Sequence, residues 1–338
     1  MDKTSQKIKV AFLQRKPHAV GNYSIESIYK SVRENLPNDI KAVVKISKYE
    51  SRGLFKRLYN TVEAAFWKAD IKHVTGDVHN LSLLLAPQKS ILTIHDCYIL
   101  QLKKGIQHFI LKYLWFVIPV KRSKYIVAVS EATKKDIVEQ TGCAPEKIKV
   151  IPVPISKMYQ SFPKKFNKEK PVLLHIGLAE NKNLERVILA IKGLPCVLSI
   201  VGKLNNQQKE LLEKNNIEYK NCFSISDEEM LEKYQEADLL SFPSTWEGFG
   251  MPIIEANAVG RPVLAGNVAS MPFVAGDAAC LVDPFSVEDI RSGILKIIND
   301  DVYREQLIKN GFENRKRFDI KTIAASYADL YRKMADGN

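Results

Sequence analysis

Long hydrophobic runs are missing from this 338-residue sequence. No stretch of about 20 uncharged apolar residues occurs, so no membrane-spanning helix is expected. The most apolar run, Phe109 to Val120, is too short and contains Lys112. Cysteine is sparse. Cys97, Cys143, Cys196, Cys222 and Cys280 are odd in number, widely spaced and without a C-x-x-C pair. Free thiols in a reducing cytoplasm are therefore expected, not a disulfide framework. Polar residues at the N-terminus lead straight into Ile8-Lys9-Val10-Ala11-Phe12-Leu13, which reads as a strand and not as a signal peptide.

Several catalytic signatures are also absent. Without G-x-x-x-x-G-K-[ST], a P-loop NTPase is disfavoured. Gly248-Phe249-Gly250 begins like a dinucleotide fingerprint, but Ile253 stands where the third glycine belongs. No two aspartates are spaced as D-x-D, no H-E-x-x-H or Cys/His cluster suggests zinc, and there is no G-x-S-x-G nucleophile elbow. No metal site is expected.

What is present is an ordinary globular composition, 46% hydrophobic and 26% charged, long enough for two domains. Its charge is lopsided. Residues 1–155 hold 26 of the 50 Lys and Arg but only 13 of the 38 Asp and Glu. The first half is strongly basic and the second near neutral, so the first half is expected to face something anionic.

Strands and helices alternate along the chain. Strands are expected at Ile8–Gln14, Ala42–Ile46, Ile71–Thr75, Lys89–Ile94, Tyr125–Val129 and Ile148–Val153. After a polar, Lys-rich linker candidate at Ser161–Lys170 the pattern restarts, with strands at Val172–Ile176, Val197–Val201, Asp238–Phe242 and Pro262–Ala265. Helical spacing closes the chain over Ser286–Ile298, Val302–Phe318 and Thr322–Met334. The alternation predicts an α/β fold of two doubly wound parallel sheets, whose ligands bind at the carboxyl ends of strands.

The densest segment is Phe242-Pro-Ser-Thr-Trp-Glu-Gly-Phe-Gly-Met-Pro-Ile-Ile-Glu255. Pro252 suits the first turn of a helix, and Gly248 and Gly250 allow close backbone approach before it. Helix-start N–H groups favour a phosphate or diphosphate. Glu247 precedes the helix and Glu255 lies one turn inside it, so both carboxylates can accept from sugar or ribose hydroxyls.

These two glutamates form the E-x7-E signature of retaining GT-B glycosyltransferases. The segment Pro243–Val263 closely resembles glycosyltransferase family 4, the glycosyl transferases group 1. The likeness extends to Ser270-Met271-Pro272, Ala275–Ala279, Val282-Asp283-Pro284, His175–Arg186 and Ile200–Lys203. In the first half, Gly76-Asp77-Val78-His79, Thr93-Ile94-His95-Asp96 and Val129–Thr133 are similar to family segments.

The resemblance implies a GT-B architecture, two Rossmann-like domains facing across a cleft. The expected divisions are an acceptor domain at 1–160, a nucleotide-sugar donor domain at 161–320, and a helix at 321–338 packing back on the first. It assigns Glu255 to the ribose and Glu247 to the donor sugar. The backbone of Gly248, Phe249, Gly250 and Met251 would hold the diphosphate, with Lys182 as counter-charge and Gly177, Gly202 and Lys203 beside the donor. His95 would contact the donor sugar or assist transfer. Gly21, Asn22, Tyr23 and Asp96 would reach the diphosphate or acceptor. Asn181 and Phe273 stand where many members carry Arg and Glu.

The expected function is metal-independent transfer of a hexosyl unit from a nucleoside diphosphate sugar, without a cofactor, to an acceptor hydroxyl with retention. The resemblance places this in cell-surface polysaccharide or glycolipid biosynthesis. Lys48–Lys72 and Lys103–Lys124 mix Lys and Arg with aromatic and aliphatic residues. That mixture suits an anionic membrane surface at the cytoplasmic leaflet and a lipid-linked acceptor. Nucleic acid is not expected as a partner. A non-catalytic sugar-nucleotide binder, a nucleotide-sugar epimerase and a nucleic-acid-binding protein remain the competing readings.

Overall fold

Six strands form the first sheet: β1 (Ile8–Gln14), β2 (Ile40–Ile46), β3 (Ile71–Val74), β4 (Ser90–Ile94), β5 (Tyr125–Ala128) and β6 (Ile148–Val150). They lie in the order β2-β1-β3-β4-β5-β6, all pairs parallel. The second sheet holds β7 (Val172–Ile176), β8 (Val197–Val201), β9 (Tyr219–Cys222), β10 (Leu239–Phe242), β11 (Val263–Gly266) and β12 (Cys280–Val282). Its order is β12-β11-β10-β7-β8-β9, again parallel. This is a computed structural model, and it describes residues 7–16, 24–100 and 102–337.

Parallel strands covered on both faces read as continuous apolar runs. β4 and β10 are buried at every position, as their sequences Ser-Ile-Leu-Thr-Ile and Leu-Leu-Ser-Phe suggest. β9 and β12 carry weaker signals and are not among the expected strands. β9 is an edge strand of sequence Tyr-Lys-Asn-Cys, with its two central residues exposed, and β12 has only three residues. Short polar edge strands show no alternation, because only one neighbour and one face constrain them.

By chain contacts, Met1–Pro154 with Ile320–Asn338 form one compact unit and Ile155–Asp319 the other. The Lys-rich segment 161–170 is fastened inside the second unit. Buried Asp238 pairs with Lys164 and accepts from the amides of Asn167 at 3.1 Å and Val172 at 2.8 Å. Phe166 lies under the Arg304 guanidinium at 4.1 Å.

The helix Ile320–Ala335 belongs to the first unit. Its Ile323, Tyr327, Tyr331 and Met334 share a buried cluster with Val10, Phe12, Tyr29, Ile71 and Ile91 from β1, β3, β4 and the helix Ser24–Glu34. A polar network lies inside that cluster. His73 Nδ1 meets the Tyr331 hydroxyl at 2.7 Å, and its Nε2 meets Thr93 Oγ1 at 2.7 Å. Burial pushes the His73 imidazole down to about 3, so it stays neutral at physiological pH.

The apolar run near Phe109 is a broken helix: Gly105–Leu111, a π-helical turn over Lys112–Val117, and Ile118–Lys121. Pro119 has no N–H to offer Trp115, four residues earlier. His79 takes the released Trp115 carbonyl instead, through Nδ1 at 2.8 Å. That bond makes Nδ1 the protonated nitrogen of neutral His79.

Candidate functional site

In both sheets the winding reverses once. β8 and β9 lie to one side of β7, and β10 returns to its other side. The carboxyl ends of β7 and β10 therefore flank the reversal point, the position at which such sheets take ligands. The loop after β7 carries Gly177 and Lys182. The loop after β10 carries Glu247 to Gly250.

Two side chains from these loops meet. Lys182 Nζ lies 2.7 Å from Glu247 Oε1, with the side chains only 22% and 13% exposed. The same ammonium sits 4.9 Å from the centroid of the Phe242 ring. The Lys182 stem folds back across Gly177, where φ is +86° and a Cβ would come within 3.1 Å of Lys182 Cγ and Cε. Only glycine suits that position on both counts.

The Glu247 loop is held from several sides. Asn181 Nδ2 donates to the Trp246 carbonyl at 2.9 Å, and the Thr245 amide donates to the Asn181 carbonyl at 2.8 Å. Asn181 thus ties the loop in place where many family members carry a second positive charge. Asn183 donates to the Pro243 carbonyl at 2.9 Å. Ser270 Oγ donates to the carbonyls of Glu247 at 2.9 Å and Phe249 at 2.7 Å. Phe249 is buried, edge-on to Phe318 at 5.6 Å, so it offers its backbone and not its ring. Gly250, at φ +105°, then caps the helix Met251–Val259, which opens with Pro252 and has no side-chain cap. Pro252 has no N–H and the Ile253 amide donates to the Gly250 carbonyl at 3.0 Å, so the Met251 amide is the first-turn donor left at this helix start, where anions are favoured.

Glu255, one turn into that helix, has different partners. Tyr234 donates its phenol to Oε2 at 2.6 Å. Burial, helped by Asp227, pushes the Glu255 carboxyl up to about 7, against the opposing effect of the Tyr234 hydrogen bond and the nearby Tyr159 phenol. Gly202 and Lys203 follow β8. Leu178 packs over Gly202, and exposed Lys203 lies 5.9 Å from the Phe223 ring. Phe273, in the position where many members carry Glu, lies under Arg317 at 5.1 Å and accepts from it through its carbonyl at 3.0 Å.

In the first unit, His95 and Asp96 follow β4. His95 Nε2 lies 3.4 Å from the Thr75 carbonyl at the end of β3, and its ring is edge-on to Tyr29 at 6.1 Å. Asp96 accepts from the Tyr98 amide at 2.9 Å. Ser130 caps the helix Glu131–Thr141 through the Thr133 amide at 3.0 Å. Gly21, Asn22 and Tyr23 lie outside the described residues.

The second unit thus joins Gly177, Lys182 and Glu247 directly, and places the helix start and Glu255 in one continuous segment. Asn183, Ser270, Tyr159 and Tyr234 were not among the expected site residues. Each acts on a partner distant in sequence or on a loop carbonyl, and no local pattern announces such contacts.

Both parts of the chain match known families. The model of the glycosyl transferases group 1 matches residues 157–314, and that of glycosyltransferase family 4 matches residues 25–157. Together they make the chain a group 1/family 4-like glycosyltransferase. Among curated relatives of this family, the serotype-specific mannosyltransferase WbdA of Escherichia coli is 25% identical over 259 residues, 69% of this chain and 32% of WbdA. The chain therefore spans about a third of the length of that relative. Among solved structures, Anabaena Alr3699/HepE in complex with UDP and glucose aligns with TM-score 0.76 at 17% identity, covering 96% of this chain and all of that one. The sucrose-phosphate synthase of Thermosynechococcus elongatus aligns with TM-score 0.75 at 16% identity over 98% of this chain and 100% of its own. These neighbours and the two parallel six-stranded sheets give the fold as two-domain GT-B.

Proposed function

We propose that the protein transfers a hexosyl unit from a nucleoside diphosphate sugar to an acceptor hydroxyl, with retention at the anomeric carbon and without a metal. The carrying observation is the Lys182–Glu247 pair at the reversal point of the second sheet, beside an uncapped helix start. The diphosphate sits against the backbone of Gly248 to Met251 and Lys182, which stabilise the charge it gains as it leaves. Glu247 faces the donor sugar, whose transition state carries oxocarbenium character. Glu255 accepts from the ribose. Relatives named as mannosyltransferases make a mannosyl donor the first to test, and the UDP and glucose of the HepE complex the second.

A thermal-shift panel of UDP, GDP, ADP and CDP with their sugars, each with and without EDTA, checks this donor site. One base is expected to stabilise the chain selectively, by about 2–3 kcal/mol at a hundredfold excess over Kd, with EDTA making no difference. A folded chain that no nucleotide stabilises would count against the assignment. A shift abolished by EDTA would remove the metal-independent form of it.

The acceptor is proposed to be lipid-linked, with the first unit resting on the anionic cytoplasmic leaflet, in cell-surface polysaccharide or glycolipid synthesis. Among the described residues no helix is long and apolar enough to cross a membrane. Instead, the helix Leu54–Phe66 exposes Leu54 (77%), Phe55 (86%) and Phe66 (79%). The helix Gly105–Leu111 exposes Ile106 and Phe109. Exposed Lys56, Lys103 and Lys104 stand among them, and Arg57 stacks on Trp115 at 4.8 Å, joining the two segments. Apolar anchors within a basic rim fit an anionic bilayer surface. Co-sedimentation with phosphatidylglycerol vesicles is expected to be lost at high salt, and Leu54→Glu with Phe55→Glu to weaken it at least about tenfold. Vesicle binding that neither change affects would argue against this surface.

A further inference from the structure

A half-buried carboxylate such as Glu255 accepts from hydroxyls only when it is ionised and aimed, and desolvation opposes the first of these. The groups that face Glu255 come from two elements other than its own helix. Tyr234, on the helix Asp227–Glu236, is fully buried and donates to Glu255 Oε2 at 2.6 Å. Tyr159, from the stretch leading into β7, is 8% exposed and packs against the Tyr234 ring on the same side of the carboxyl. The two phenol rings meet edge to face, 5.5 Å apart at 89°. Asp227, at the start of the Tyr234 helix, is the charged neighbour that bears on Glu255. The C-terminal end of that helix is itself clamped. Arg261 donates to the carbonyls of Tyr234 at 2.9 Å and Gln235 at 3.0 Å. Tyr234 therefore has little freedom to swing away from its acceptor.

We propose that Tyr234 and Tyr159 are positioning residues for nucleotide recognition, whose phenols hold the Glu255 carboxylate in the direction and the ionised form that accept a ribose diol. This rests on the assignment of Glu255 to the ribose. A phenol that donates to the carboxylate favours its ionised form, whereas burial and Asp227 favour the neutral acid. Removing a phenol therefore raises the pH at which Glu255 ionises. Nucleotide affinity, which needs the carboxylate, falls at neutral pH and recovers as pH rises. A tyrosine that only filled space would leave this pH dependence where it was.

The test uses the full chain with Tyr234→Phe, which keeps the ring and removes the hydroxyl. Affinity for the nucleoside diphosphate preferred in the thermal panel is measured between about pH 6 and pH 9. Glu255 is titrated in the ligand-free chain by carbon-detected NMR, its signal assigned by loss in Glu255→Gln. At neutral pH the variant is expected to bind about tenfold more weakly, with the midpoint of both curves moved upward and the gap closing at high pH. Inorganic pyrophosphate, which lacks a ribose, is expected to bind both chains equally. Tyr159→Phe is the second variant and decides the matter if Tyr234→Phe does not fold. A folded variant whose Glu255 titrates as in the parent chain overturns the positioning role, whatever nucleotides do. A parent chain that binds no nucleoside diphosphate overturns the ribose assignment, and this proposal with it.

Discussion

Glu247→Gln is expected to lower turnover about a thousandfold while tightening the hold on the nucleoside diphosphate. The two effects have opposite signs for one geometric reason. In the unliganded site the Lys182 ammonium lies 2.7 Å from Glu247, and both side chains are largely shielded from water. An incoming diphosphate must compete with that carboxylate for the lysine. Removing the negative charge frees Lys182, so the diphosphate binds several-fold more tightly, the range expected of one partly exposed ion pair. Transfer, however, passes through a sugar carrying positive character. A carboxylate beside it stabilises that charge in the transition state far more than in the ground state, and glutamine does not. Lys182→Ala should show the other pattern, weakening diphosphate binding by about ten- to a hundredfold. Steady-state kinetics with calorimetry of diphosphate binding reads both. Equal losses of binding and turnover in Glu247→Gln would reduce the pair to a scaffold for the loop.

Deleting residues 320–338 is expected to unfold the first unit and leave the second folded. The helix Ile320–Ala335 buries Ile323, Tyr327, Tyr331 and Met334 against β1, β3 and β4. Each large apolar side chain contributes roughly 1.5–3 kcal/mol by burial, and a domain holds only about 5–15 kcal/mol in total. Loss of the helix would also expose that sheet face and leave His73 Nδ1 without the Tyr331 hydroxyl. Hydrogen exchange followed by mass spectrometry should show protection lost in peptides covering β1 and β3 and kept in β7 and β10. Tyr331→Phe, which removes one buried hydrogen bond, should cost about 1–3 kcal/mol and no more. Retained protection in β1 after the deletion would show that the sheet stands without this helix.

The same helix shows where sequence and tertiary structure divide the information. Its helical period is plain in the sequence, but the face it covers lies some three hundred residues earlier in the chain, as the Tyr29–Tyr327 hydroxyl contact at 3.3 Å illustrates. The Phe109 run reads simply as apolar. That it passes through a π-helical turn accords with Pro119, and His79 takes the Trp115 carbonyl that Pro119 cannot serve. Helices start where local signals say: Ser226 with Glu229 and Asn205 with Gln208 form capping boxes within four consecutive residues.

By itself the sequence determined the alternation of strands and helices and the E-x7-E loop. It also placed glycines and a proline before a helix, because each of these rests on residues within one or two turns of each other. Strand order was decided only in three dimensions. It is the return of β10 to the free side of β7 that brings Lys182 to Glu247 across 65 positions. The partners of Glu255 were likewise a tertiary matter. Tyr159 and Tyr234 come to it from separate parts of the chain, and it is their packing together, not their spacing, that brings the Tyr234 phenol to its carboxyl.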